Sequence, residues 1–538
     1  GTQDDAPTFN RVASFYVCTQ LDPTCNINTE TVAEIVAVTE DGYTAVYTDS
    51  PQGVRCPLRP TAHALSLSRP RAVLPSVIAE CYHADGATTH PSPPHAQVIG
   101  FVDITNPRSP RPLGTVAVGG EPTSVAVRGG YAYAGVNTSP DYVNPSGKLV
   151  QIRISSRTVT GEVDLGGQPD AVAISPDGQY LAVAIENERD EDLGTGEPPQ
   201  MPAGYVQIVE MATMTATKVE LTGLAGLVYG TDPEPEFVAI NEDNLLVVTL
   251  QENNGIVMID CATKQVVNSF SAGSVDLSRI DVDEEDVISQ TSSLASVPRE
   301  PDGVTWMGTE YFATADEGDL HGGSRGFTIF SRNGDIVYSS GSELDHLAAR
   351  IGHYPEGRSG NKGVEPENVF YGVFSGVPLL FVNLERASLI AVYDVTDPTA
   401  PQYRQVLPSS VGPEGGVAVP SRNLILVAGE KDDRGDKMRS IISIFEGSPH
   451  ATAQYPPVVS HDRADGTPIP FAALSGLVAS GTSTLYAVED SAYRKSRIFE
   501  IDVSSTPAEL TREIRIKDDG DILATIVGSR RSLRPMTS

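Results

Sequence analysis

Apolar residues along the chain fall in short runs of strand length rather than in helical stripes. Many come as pairs: one run, a tight turn, then a second run that ends in an acid or amide. Glu121-Pro122-Thr123-Ser124-Val125-Ala126-Val127 leads to Tyr131-Ala132-Tyr133-Ala134 and Asn137. Gln168-Pro169-Asp170-Ala171-Val172 leads through Pro176-Asp177-Gly178 to Leu181-Ala182-Val183-Ala184-Ile185-Glu186. Glu234-Pro235-Glu236 leads to Glu252, Glu300-Pro301-Asp302 to Asp316-Glu317, Glu365-Pro366-Glu367 to Glu385, and Pro413-Glu414 to Glu430. Glu34-Ile35-Val36 opens a copy that ends at Asp49, and a weaker copy runs from Leu474 to Asp490.

A third strand, usually followed by a fourth, comes after each pair, as in Val98–Asp103, Ile256–Asp260 and Leu389–Asp394. Turn residues close these runs. Four strands per repeat predict an all-β propeller of four-stranded blades. Seven good copies predict seven blades, with the weak copy starting a second propeller; one eight-bladed ring is the alternative. The first two runs of each copy lack strict alternation, as expected for inner strands covered on both faces.

In such a blade the first strand begins on the face where the second ends. The leading Glu-Pro and the trailing acid therefore gather at one end of the central channel. A ring of unpaired carboxylates is costly and would hold raised pKa values unless cations were present. Oxygen-only sites favour hard cations, calcium first. The candidate metal ligands are Glu121, Glu234, Glu236, Asp316, Glu317, Asp319, Glu365, Glu367, Glu414 and Glu430. The competing expectation is that each Glu caps backbone amides or pairs with an arginine such as Arg325 or Arg386.

Composition narrows the partners. The 538 residues carry 38 Lys+Arg against 70 Asp+Glu, a net charge of −32. That surface repels nucleic acid and anionic membrane, and no run is long enough to span a bilayer. It suits divalent cations. Cys18 and Cys25 flank a short loop that fits a disulfide in an oxidising compartment, within an N-terminal segment 1–29. Residues 54–97 hold Cys56, Cys81 and four histidines without paired ligand spacing. They interrupt the repeat as an irregular insertion or a retained intron. Asn137-Thr138-Ser139 is a glycosylation sequon in a predicted loop. No G-x-S-x-G or Ser-His-Asp order occurs. His321 is the one histidine beside an acidic motif, and Asp281–Asp286 reads as surface.

The runs Glu365-Pro366-Glu367-Asn368-Val369, Ala315-Asp316-Glu317-Gly318-Asp319 and Gly412-Pro413-Glu414-Gly415-Gly416 resemble the choice-of-anchor I propeller family. That family includes alkaline-phosphatase-like bacterial proteins and mesenchyme-specific cell-surface glycoproteins. The resemblance covers roughly residues 30–450, so 30–455 is expected to be the propeller. Pro468-Ile469-Pro470-Phe471 with Leu485-Tyr486-Ala487-Val488-Glu489-Asp490 is similar to the start of an esterase-like-activity-of-phytase domain, placing its first blade at 456–528 and a tail at 529–538. The resemblance implies a secreted, periplasmic or cell-surface protein with calcium-dependent phosphoesterase activity. Arg325, Lys362 and Arg386 would then hold phosphate oxygens, with ordinary salt bridges as the alternative. A non-catalytic calcium-binding surface or matrix glycoprotein, acting in adhesion or biomineralisation, is the other implied function, with phosphate esters or matrix components as partners.

Overall fold

A computed structural model describes residues 6–50, 97–490, 493–494 and 496–516. The insertion 54–97, apart from its last residue, and the tail 529–538 lie outside these.

Among the described residues, seven sheets have four strands each, all antiparallel. The first comprises Val36–Val38, Thr44–Asp49, Val98–Asp103 and Arg111–Ala117. The third comprises Pro169–Ile174, Tyr180–Ile185, Tyr205–Glu210 and Thr215–Glu220. The others begin at Glu121–Arg128, Val238–Ile240, Val304–Met307, Pro366–Phe374 and Pro413–Val419. In every sheet the strands run in chain order from the first to the third position.

These opening strands touch one another in sequence order, and the seventh returns to the first. The result is an all-β, propeller-like assembly around a channel. Its core is divided into inter-sheet layers. Val46, Ile99 and Phe101 of the first sheet pack on Val125, Ala132 and Val150 of the second. Phe370 and Phe381 of the sixth pack on Ile425 and Val427 of the seventh. The second strands are therefore covered on both faces: all six residues of Leu245–Leu250 and of Leu424–Gly429 are buried. Continuous apolar runs arise because no face is left for solvent. The outermost strands do meet solvent, as Thr158–Asp164 shows.

Part of the N-terminal segment belongs to the cycle of sheets. Thr8–Tyr16 is a nine-residue strand that pairs with Ile441–Ser448 and completes the seventh sheet. The sequence repeat hides it because the strand lies more than 400 residues from its partner. Phe9 is fully buried, edge-on to Phe374 at 5.1 Å and Phe381 at 5.4 Å between ring centres. Cys18 and Cys25 form a disulfide just beyond it.

A further sheet of five strands, from Val458–Ser460 to Ala508–Arg515, stands outside the cycle of seven. It packs beside the sixth sheet's core through Tyr455, Val459 and Tyr493. The one α-helix among the described residues, Glu343–Arg350, buries Leu344, Leu347 and Ala348 at the same place.

Candidate metal centre

In several sheets the ladder breaks at the proline motif. The register shifts between Pro122 and Ser124, Pro169 and Val172, Pro366 and Asn368, and Pro413 and Gly416. Proline has no N–H to give the ladder, and a bulge re-aims the next side chain. The residue after the proline then points into the channel. Those positions are Thr123, Asp170, Glu236, Asp302, Glu367 and Glu414, and Glu34 occupies the equivalent place in the first sheet. All seven line one cavity of about 290 Å³, joined by Gln251, Glu317 and Glu430 from the ends of second strands.

Eight carboxylates thus face one small space, and they crowd. The carboxyl oxygens of Asp170 and Glu236 lie within 4.8 Å of each other, as do those of Asp302 and Glu367. Glu414 adds its charge to that of Asp302 at Glu367. Carboxyl groups this close repel unless a proton or a cation stands between them. Burial is the main cause of the raised pKa values, with neighbouring carboxylates adding to it. Glu34 is pushed up to about 8, Asp170 to about 7 and Glu385 to about 8. Glu186, Glu236, Asp302, Glu367 and Glu414 are all held well above the ordinary carboxylate range.

Four triads bring ligand oxygens within 4.8 Å of one another: Asp170–Glu186–Glu236, Asp302–Glu317–Glu367, Glu317–Glu365–Glu385 and Glu385–Glu414–Glu430. Every donor is a carboxylate oxygen. Such a set suits hard cations rather than zinc or copper.

Six of the ligands expected from the sequence meet in these triads: Glu236, Glu317, Glu365, Glu367, Glu414 and Glu430. The other four do not join them. Glu121 takes a hydrogen bond from Asn137 at 3.2 Å. Glu234 is fully buried against Arg189 at 3.2 Å. Asp319 also pairs with Arg189, which holds Glu252 at 2.8 Å. Asp316 lies inside its sheet, hydrogen-bonded by Thr314, Ser324 and Thr328 at 2.7, 2.8 and 2.6 Å.

The glutamate before the proline is thus mostly a structural group. Glu300 accepts the Asp319 and His321 N–H groups, and Glu365 is held by Arg358 at 2.6 Å and Arg386 at 2.8 Å. Of the three expected phosphate holders, Arg325 is buried and donates to Asp345 and to the Asp281 and Ser359 carbonyls. Lys362 lies 3.5 Å from Glu317, and Arg386 lies 2.6 Å from Glu385. Both flank the triads.

Sequence reasoning passed over Glu34, Asp170, Asp302 and Glu385 as ligands. The signal was there: an acid after the proline recurs in five consecutive copies, from Asp170 to Glu414. What hid it was the bulge, which breaks simple alternation and swaps the roles of the residues before and after proline.

An all-β chain of propeller-like sheets around a carboxylate-lined channel is the class these features define. The chain belongs to the choice-of-anchor I domain family, whose model matches residues 83–230, 219–322 and 320–398. Together these span more than half of the chain. Similar solved structures include virginiamycin B lyase from Staphylococcus aureus. Its selenomethionine form is 12% identical, covers 81% of this chain and 99% of its own, and has a TM-score of 0.44. Hydrazine synthase from Kuenenia stuttgartiensis is 14% identical, covers 75% and 94%, and has a TM-score of 0.44. No curated protein matches the chain. No helix among the described residues is long and apolar enough to cross a membrane.

Proposed function

We propose that this chain is a secreted or cell-surface, closed seven-bladed propeller that binds divalent cations, calcium first, in its channel and acts as a non-catalytic surface or matrix protein. The observation that carries the proposal is the convergence of eight carboxylates on one cavity of about 290 Å³. Buried like charges are normally neutralised by protons or cations, and an all-oxygen donor set selects calcium. Membership of the choice-of-anchor I family and the Cys18–Cys25 disulfide support an extracellular setting. The C-terminal meander from Leu474–Ser480 to Ala508–Arg515 fits a blade of a second, phytase-like module.

Calcium-dependent phosphoester hydrolysis is the second function, favoured by Lys362 and Arg386 standing beside Glu317 and Glu385. Both cations are already paired with carboxylates, and among the described residues no nucleophile–base pair faces the cavity. Calorimetric titration of chelator-treated protein with calcium, run beside phosphate release from a generic monoester and from phytate, separates the two. Calcium binding without phosphate release is the expected result. Release that needs calcium would favour hydrolysis, and no binding would overturn the cation site.

A further inference from the structure

The four carboxylate triads are not equivalent. Glu365 is engaged by Arg358 and Arg386, Glu385 by Arg386, and Glu317 by Lys362. Three triads therefore each contain a carboxylate that the protein's own cations already neutralise. Asp170–Glu186–Glu236 contains none: no lysine or arginine among the described residues pairs with any of the three. Arg189, three residues on from Glu186, is taken up by Glu191, Glu234, Glu252 and Asp319.

A second observation points to a ligand there. Glu186 is 8% exposed. Its carboxylate lies within the triad, and no described residue donates a hydrogen bond to it. The charges that act on it most strongly are other carboxylates: Asp170, Glu188, Glu252 and Glu234. Nearby, the buried Oε2 of Glu252 also has no partner.

The triad is held ready by backbone contacts. The Glu186 N–H donates to the Gln168 carbonyl at 3.0 Å, and Asn187 next to it accepts from the Gln168 N–H at 3.0 Å. The Glu236 N–H donates to the Thr249 carbonyl at 3.0 Å, and Thr123 holds the Asp170 carbonyl at 2.9 Å. Oxygens within 4.8 Å of one another can share one calcium without backbone movement, because two ligands on calcium stand up to about 5 Å apart. Magnesium, with bonds of about 2.1 Å, needs a tighter set.

We infer that Asp170, Glu186 and Glu236 form the channel's primary calcium site, filled before the three triads that lysine and arginine already neutralise. This inference rests on the reading of the channel as a cation site. It goes further in naming one triad and an order of filling.

The test is calorimetric titration of the full, chelator-treated chain with calcium chloride, comparing wild type, Glu186→Gln, Asp170→Asn and the double variant Glu385→Gln/Glu430→Gln. Wild type is expected to show a tight step. Glu186→Gln and Asp170→Asn should weaken that step by about tenfold or more, while the double variant retains it. Melting curves with and without calcium check folding, since Gln and Asn keep the shape of the carboxyls. A folded Glu186→Gln that binds like wild type overturns the inference, as does loss of the tight step in the double variant alone. A wild type that binds no calcium overturns the cation channel itself.

Discussion

Asp170 and Glu236 come from consecutive sheets, yet their carboxyl oxygens lie within 4.8 Å of each other in the channel wall. Two buried carboxylates at that distance repel unless a proton or a cation neutralises them.

Stability of the chelator-treated protein should fall as pH rises. Glu34 and Glu385 have folded-state pKa values raised to about 8, and Asp170 to about 7, chiefly by burial. The folded state therefore holds more protons than the unfolded chain above about pH 4. The stabilisation is fully present below that pH and is lost as pH climbs through 7 to 8. Denaturant titrations at pH 5, 7 and 9 should show a loss of a few kcal/mol, largely restored by calcium at pH 9. Equal stability at pH 5 and 9 without calcium would contradict this.

Glu367→Gln should stabilise the metal-free protein. Glu367 is crowded by Glu317, Glu414 and Asp302, and removing its ionisation relieves that repulsion. The expected gain in chelator at pH 8 is about 1–2 kcal/mol, read as a rise of a few degrees in Tm. The same substitution should reduce the rise in Tm that calcium produces.

Arg189→Met should be strongly destabilising. One guanidinium, 4% exposed, serves Glu234 and Glu252, which are almost wholly buried. Breaking a buried ion cluster from one side leaves uncompensated charge and costs about 3–5 kcal/mol. Urea titration measures it, and a cost under 1 kcal/mol would show that the carboxylates are neutral without the arginine.

Phe9→Ala should loosen the join between the two ends of the chain. Phe9 is fully buried among Phe374, Phe381 and Phe445 in the layer between the sixth and seventh sheets. Loss of the ring is expected to cost about 3–5 kcal/mol. Limited proteolysis should then cut near residues 6–16 first.

The repeated strand pairs, the four-stranded sheets and the acidic character of one channel end were legible in the sequence. Strand-length apolar runs and turn residues report local backbone preference, and seven copies reinforce one another. The all-β, propeller-like architecture follows from that pattern. The N-terminal strand was not legible, because Thr8–Tyr16 matches no repeat and its partner Ile441–Ser448 is brought near only by ring closure. Nor was the division of labour among the acids. A register shift beside Pro169, Pro366 and Pro413 turns Asp170, Glu367 and Glu414 inward, and Glu236 and Asp302 reach the same cavity from just ahead of their strands. Glu234 is left to Arg189, 45 residues away, and Glu365 to Arg358 and Arg386, 7 and 21 residues away. The repeat dictates that carboxylates gather, whereas packing selects those neutralised by Arg189, Arg358, Arg386 and Lys362 and those that face one another unpaired. Which acid meets which cation depends on loop conformation and on the docking of neighbouring sheets, and the repeat specifies neither.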